Sequence, residues 1–176
     1  RRHGVAIRPI DVMKSAWDCT LESKGADLVL RLGLRMVKHL SYTGAKRLLD
    51  ARQHRVFTSV DDLAHRALLE RGDLRALASA NALSTLVQHH RRQAGWLVSG
   101  IEKPSPVFPQ PHICEATPLL NTPHAGEEAC ADYASTGLTL GPHPLALLRN
   151  QLRTLGVITS DGITQKEDGH YVHTAG

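Results

Sequence analysis

The stretch VKHLSYTGAKRLLDAR, Val37 to Arg52, is where the fold can be read most directly. Val37 and Leu40 precede a short polar interval, after which Ala45, Leu48 and Leu49 recur at i, i+3 and i+4, the spacing of one helical face. The outline is a helix, a tight turn around Leu40 and a second, amphipathic helix. Downstream, Ser59-Val60-Asp61-Asp62 marks another helix start: a hydroxyl cap, with acids in the first turn where the helix dipole favours them. Leu63 and Ala67 continue that face, and Leu74, Leu77 and Ala78 repeat it in the next helix. Leu83, Leu86, His90, Ala94 and Leu97 predict one longer helix ending near Gly100.

The flanks differ from this helical block over 31–100. In residues 1–30, apolar and β-branched patches (Val5-Ala6-Ile7, Ile10, Val12, Trp17 to Leu21, Leu28-Val29-Leu30) are separated by Gly4, Pro9 and Gly25, which predicts short strands. Six of the nine prolines lie between Pro104 and Pro123, so 101–125 reads as a linker that cannot be one helix. Residues 126–156 return to helix. Glu127 to Ala134 form a short acidic helix closed by Gly137, and Pro144 starts another with Leu145, Leu148 and Leu152 on one face and Gly156 as its stop. Residues 157–176 read as turns and strands without enough partners to close a sheet. The fold class expected is mainly α, with small β segments at both ends.

Composition excludes several classes. At 176 residues the chain suits one domain with or without an appendage, and 41% hydrophobic with 22% charged residues is too apolar for disorder throughout. No run approaches the ~18 apolar residues of a membrane span, and no charged-then-apolar leader argues for secretion. The absence of an initiator Met at Arg1-Arg2-His3 suggests a piece of something longer. Cys19, Cys114 and Cys130 are an odd, widely spaced set, which argues for a reducing, cytoplasmic compartment and against a disulfide framework. His112, Cys114, His124 and Cys130 match no common zinc spacing, so no metal is expected.

Charge is uneven within a net +4. Residues 31–100 hold 12 Lys/Arg against 5 Asp/Glu, whereas residues 101–176 hold 4 against 8. A basic block followed by an acidic one points to nucleic acid on the first; the other reading is a solvated helical surface rich in Arg. Aromatics are only 4%, which disfavours a base-stacking platform and favours contact with phosphate.

The Val37 to Arg52 outline resembles a helix-hairpin-helix. In that motif the turn points backbone amides outward at the start of the second helix, where orphan N–H groups and the positive helix end hold a phosphate oxygen without reading bases. Lys38, His39, Leu40, Ser41, Tyr42, Thr43, Lys46 and Arg47 are the candidate DNA-binding residues. The motif places glycine on either side of the apolar residue because one position needs positive φ; here His39 and Ser41 stand there. The alternative is an αα-hairpin with a purely structural role.

The chain as a whole resembles the C-terminal part of a C-family bacterial DNA polymerase, a relative of the polymerase III alpha subunit. RPIDVMKS (Arg8 to Ser15) is similar to the segment ending that family's fingers, and RLGLRMVKHL (Arg31 to Leu40) to its entry into the hairpin. FTSVDDLAHRA (Phe57 to Ala67) and LRALASANALSTL (Leu74 to Leu86) resemble a second, degenerate hairpin unit. ADYASTGLTLGPHPLALLR (Ala131 to Arg149) resembles the block ahead of the family's OB-fold. WDCTLE (Trp17 to Glu22) and the DY-x-x-TGL-x-L form point to the error-prone branch.

The resemblance implies the end of the fingers over 1–30, a tandem helix-hairpin-helix module over 31–100 and a truncated start of an OB-fold-like region over 157–176. It implies a non-catalytic, duplex-DNA-binding portion of a nucleotidyltransferase acting in repair and translesion synthesis. The catalytic carboxylates and their Mg2+ would lie in a palm upstream, so no cofactor is expected here. Asp61-Asp62 and Glu127-Glu128 read as helix N-terminal acids. By the same resemblance QAGWL, Gln93 to Leu97, is a candidate sliding-clamp ligand, with Gln93 as polar anchor and Ala94, Trp96 and Leu97 beside it. Mutagenesis accessory proteins are further implied partners. The alternative for this segment is a helix whose Trp96 and Leu97 pack inward while Gln93 is solvated. Two other functions compete with the polymerase reading: a free-standing DNA-repair module, and a scaffold that only recruits partners.

Overall fold

The computed structural model describes residues 5–25, 27–88, 90–101, 118 and 120–175. Most of the expected 101–125 linker therefore lies outside the described residues, as do His112 and Cys114.

The N-terminal patches form a three-stranded sheet of β1 (Ala6–Arg8), β2 (Thr20–Lys24) and β3 (Asp27–Arg31), in the order β1-β3-β2. β2 and β3 are antiparallel, turning at Gly25 with φ +65°, and β1 is parallel to β3. For β1 and β3 to be parallel the chain must run back between them, and β2, reached through residues 9–19, makes that return. Ile10 and Val12 in the 9–19 connection are buried in the same core as the helices, so the sheet is anchored to the helical block.

The expected helix before the turn is only a 3-10 turn, Leu34–Met36. The backbone of Trp17 and Asp18 presses on Gly33, where an added Cβ would lie 2.4 Å from the Trp17 carbonyl oxygen, and Val37 is already extended. Three helices follow as the periodicity predicts, α1 (Tyr42–His54), α2 (Val60–Arg66) and α3 (Arg71–Ser79), and then comes the short α4 (Ser84–Val87). The single helix expected from Leu83 to Gly100 is two. Gln88 adopts φ +56° at the end of α4, and α5 (Arg91–Gly100) starts afresh. Ala94 and Val98 of α5 are buried in the same core as Leu83 at the start of α4. Leu34, Leu48, Leu63, Leu77 and Leu83 are the largest fully buried side chains.

Beyond the linker, α6 (Ala125–Ser135) is capped by His124 and closed at Gly137, with φ +82°. The expected helix from Pro144 is interrupted at Leu148, giving α7 (Pro144–Leu147) and α8 (Arg149–Thr154); Leu148 is consequently exposed while Leu145 and Leu152 are half-buried. The last segment pairs β4 (Val157–Ile158) in parallel with β5 (His173–Thr174). Between them is a helical turn, α9 (Ser160–Ile163), that periodicity did not suggest. Thr159 supplies its N-cap, accepting from Gly162 N–H.

Candidate nucleic-acid interface

His39 has φ +66°, so the turn does contain the left-handed residue its motif requires, at the place where glycine is usual. Leu40 is half-buried beneath the turn, and Ser41 is the N-cap of α1. The same backbone device recurs. Leu68 (φ +48°), Asn81 (φ +55°) and Gln88 (φ +56°) each stand two residues ahead of the N-caps of α3, α4 and α5, which are Glu70, Leu83 and His90. A left-handed conformation costs most non-glycine side chains on the order of 1 kcal/mol, so packing offsets that cost at His39, Leu68 and Gln88, whereas Asn81 is a residue type that adopts it readily.

The amides at the start of α1 are partly spent. Ser41 Oγ accepts from Gly44 N–H at 2.9 Å. Ser41 N–H donates to Asp73 Oδ1 at 2.8 Å, and the Ser41 hydroxyl donates to Asp73 Oδ2 at 3.0 Å. Tyr42 and Thr43, both exposed, carry the remaining first-turn amides. Tyr42 also meets Trp17 edge-on, with ring centroids 5.0 Å apart.

Charge in the block is spent in the same way. Lys38 Nζ donates to the Tyr133 carbonyl at 2.9 Å, and Lys38 N–H to the Ser135 carbonyl at 2.8 Å, tying the turn to the negative end of α6. Arg47 donates to the carbonyls of Ala67 and Leu68, each at 3.0 Å, and so closes the end of α2. Arg35 pairs with Asp18, Arg55 and Arg66 with Asp62, Arg91 with Glu128 and Asp132, and Arg92 with Glu127. Arg52 donates to the Val12 carbonyl at 2.8 Å; burial pulls its guanidinium below its ordinary value, and Asp11 partly offsets this. Arg71 reaches the Ser99 carbonyl. Lys46 and Arg75 are exposed and have no such partner among the described residues. The basic excess of residues 31–100 is therefore mostly internal cement.

The acid pairs are structural. Asp61 and Asp62 open α2 behind the Ser59 cap. Burial opposes the charge of Asp62, but the Thr58 amide, Arg66 and Arg55 outweigh it and hold the carboxyl below its ordinary value. Glu127 completes a capping box with His124, whose backbone N–H, followed by Arg92, lowers its pKa. Glu128 receives Arg91; burial opposes the Arg91 charge, and Glu128 and Asp132 more than compensate. Among the described residues no three His, Cys, Asp or Glu are grouped so as to hold a metal, and Cys19 and Cys130 are free thiols.

A cleft of about 730 Å3 opens beside the turn between α3, α5 and α6, with Lys38, His39, Arg75 and Arg92 among its lining residues and a floor of small side chains. The Gln93 to Leu97 segment runs along α5, and the structure splits it. Gln93 is buried at 5% exposure and Ala94 is buried, Trp96 is 52% exposed, and Leu97 packs on the core. Both sequence readings of this segment are thus corrected in part: the polar anchor faces inward and the indole faces out. The helical period sets this, since Ala94 and Val98 must face the core.

Asp73, which takes the Ser41 amide and hydroxyl, was not among the residues singled out from the sequence. It lies three residues after Glu70, where an acid serves its own helix, and nothing local signals that it reaches α1.

A family model described as a helix-hairpin-helix motif matches residues 4–94. An error-prone DNA polymerase of Alkalilimnicola ehrlichii is 50% identical over 176 residues, covering 99% of this chain and 17% of that protein. Error-prone DNA polymerases of Methylococcus capsulatus (43%, 100% of this chain, 18% of that protein) and Pseudomonas paraeruginosa (44%, 100% and 17%) are also similar. The chain thus spans less than a fifth of the length of these relatives.

Proposed function

From the premise that this chain belongs to the helix-hairpin-helix family, we propose that it is the duplex-gripping part of an error-prone DNA polymerase serving repair and translesion synthesis. Its relatives carry that polymerase name along its whole length. The observation supporting a DNA contact is the turn itself. His39 in the left-handed conformation presents the start of α1, with the exposed residues Tyr42 and Thr43 carrying its first amides and Lys46 one turn further on without an ion-pair partner among the described residues. Such donors meet phosphate oxygens and not base edges, so binding is weak and indifferent to sequence.

Nucleotidyl transfer needs clustered carboxylates around metal ions. The acid pairs here do not fit Mg2+, since Asp62 and Glu128 are held by arginines and Glu127 by the His124 amide and Arg92. Catalysis is assigned to the part of the polymerase outside this chain.

The test is a titration of this chain with duplexes of unrelated sequence at several salt concentrations. With Lys46 and Arg75 as the exposed cations of residues 31–100 that have no such partner among the described residues, log K should fall against log salt with a slope of about −2 for contact through this block. Lys46→Glu should roughly halve that slope and weaken every duplex alike. Arg47 is left intact because its loss would open the end of α2. An undiminished slope in Lys46→Glu, or no binding at low salt, makes the hairpin structural only. A sliding clamp is the second partner we propose, on the exposure of Trp96 alone; clamp capture that survives Trp96→Ala removes it.

A further inference from the structure

We propose that Asp73 is a built-in anion standing in the phosphate seat of the first hairpin, and that it limits how tightly the hairpin grips DNA. This rests on the reading that the hairpin touches duplex DNA. Asp73 belongs to the first turn of α3, where its charge already faces that helix's positive end. Its carboxylate also takes the Ser41 N–H at 2.8 Å and the Ser41 hydroxyl at 3.0 Å. The starts of α1 and α3, which are the second helices of the two hairpins, therefore converge on one negative charge. It is 4% exposed, so water does little to screen it.

Gly44 makes the approach possible. A Cβ at that position would lie 2.2 Å from Asp73 Oδ2 and 2.8 Å from Ser41 Oγ. The first turn of α1 contains no acid of its own, so Asp73 is the carboxylate serving that end. An incoming phosphate finds the Ser41 and Gly44 amides taken and must use those of Tyr42 and Thr43 against the repulsion of Asp73. A loose grip of this kind suits a protein that must move along its template, because each phosphate contact has to be broken at every step.

The experiment compares the unaltered chain with Asp73→Asn, which keeps the side-chain shape and the acceptor for Ser41 N–H but removes the charge. Removing a like charge within several ångströms of a bound phosphate should tighten binding by about 3- to 10-fold at low salt. Folding of the variant is checked by its melting transition. Amide shifts of the unaltered chain during a DNA titration give a readout independent of any variant. Tyr42 and Thr43 should move, while Ser41 and Gly44 stay near their free positions. If the unaltered chain binds and Asp73→Asn binds no tighter, or if the Ser41 amide shifts as far as Thr43, the inference is overturned while the DNA-binding reading stands. Binding by Asp73→Asn alone supports the plug and removes the reading for the unaltered chain. Binding by neither overturns both.

Discussion

The two hairpins share a backbone and differ in where their charge goes. In the first, left-handed His39 is followed by half-buried Leu40 and the N-cap Ser41; in the second, left-handed Leu68 is followed by buried Leu69 and the N-cap Glu70. α1 begins with a side-chain cap and a borrowed carboxylate. α3 begins without a side-chain cap hydrogen bond and lends its own first-turn acid, Asp73, to α1. The second hairpin also accepts help, since Arg47 of α1 closes its turn through the Ala67 and Leu68 carbonyls. Each unit is completed by the other. Neither hairpin is closed by its own residues alone, and the motif match over both does not say which amides remain without a partner.

Two glycines test this asymmetry most strongly. Gly44 and Gly72 lie in the first turns of α1 and α3, and only Gly44 is crowded; a Cβ at Gly72 would meet nothing within 4 Å. Gly44→Ala should force the Asp73 carboxylate out and cost about 1–3 kcal/mol, measured by urea unfolding. An unchanged midpoint would show that the carboxylate is not held where the hydrogen bonds place it.

A smaller effect is expected on acidification. Asp62 joins the end of α1 to α2 through Arg55 and Arg66, and its folded pKa is depressed. A depressed carboxyl contributes stability that is present above its unfolded value, about 3.9, and is lost as pH falls through the folded value. Stability should therefore decline as pH is lowered below about 4, and less steeply in Asp62→Asn. Equal slopes in the two proteins would place the acid sensitivity elsewhere.

The smallest change should come from Gly72→Ala, which replaces a poor helix former in open space. A gain of about 0.5 kcal/mol is expected. A loss instead would mean that the start of α3 needs the freedom of glycine, and the contrast with Gly44 would narrow.

Much of this was legible in advance because it depends on short-range rules. The Ser59 cap, the apolar faces of α1 to α3 and the Gly137 stop follow from spacing and capping over a few residues. The breaks at Gln88 and Leu148 were not legible: Leu83 to Leu97 and Leu145 to Leu152 keep a helical period across them. Periodicity records which residues are apolar, and it does not record where the backbone between them leaves the helical conformation. The candidate site divides along the same line. The turn and its left-handed residue were expected from local pattern, whereas the loss of Lys38 and Arg47 to carbonyl acceptors was not.

By itself, the amino-acid sequence determined the helical block, the turn around Leu40, the positive φ demanded near it and the kinship with error-prone polymerases. These follow from helical spacing, from the geometry a tight turn requires and from residue order, which can be read without knowledge of packing. Only the tertiary structure decided which charges are free. Lys38 meets the Tyr133 carbonyl 95 residues away along the chain, and Asp73 meets Ser41 across 32. A charge count adds every cation equally, but an ion pair or a capped helix end removes its members from what a ligand can use. Folding brought opposite charges together across such separations, leaving Lys46 and Arg75 as the block's exposed cations without such partners among the described residues.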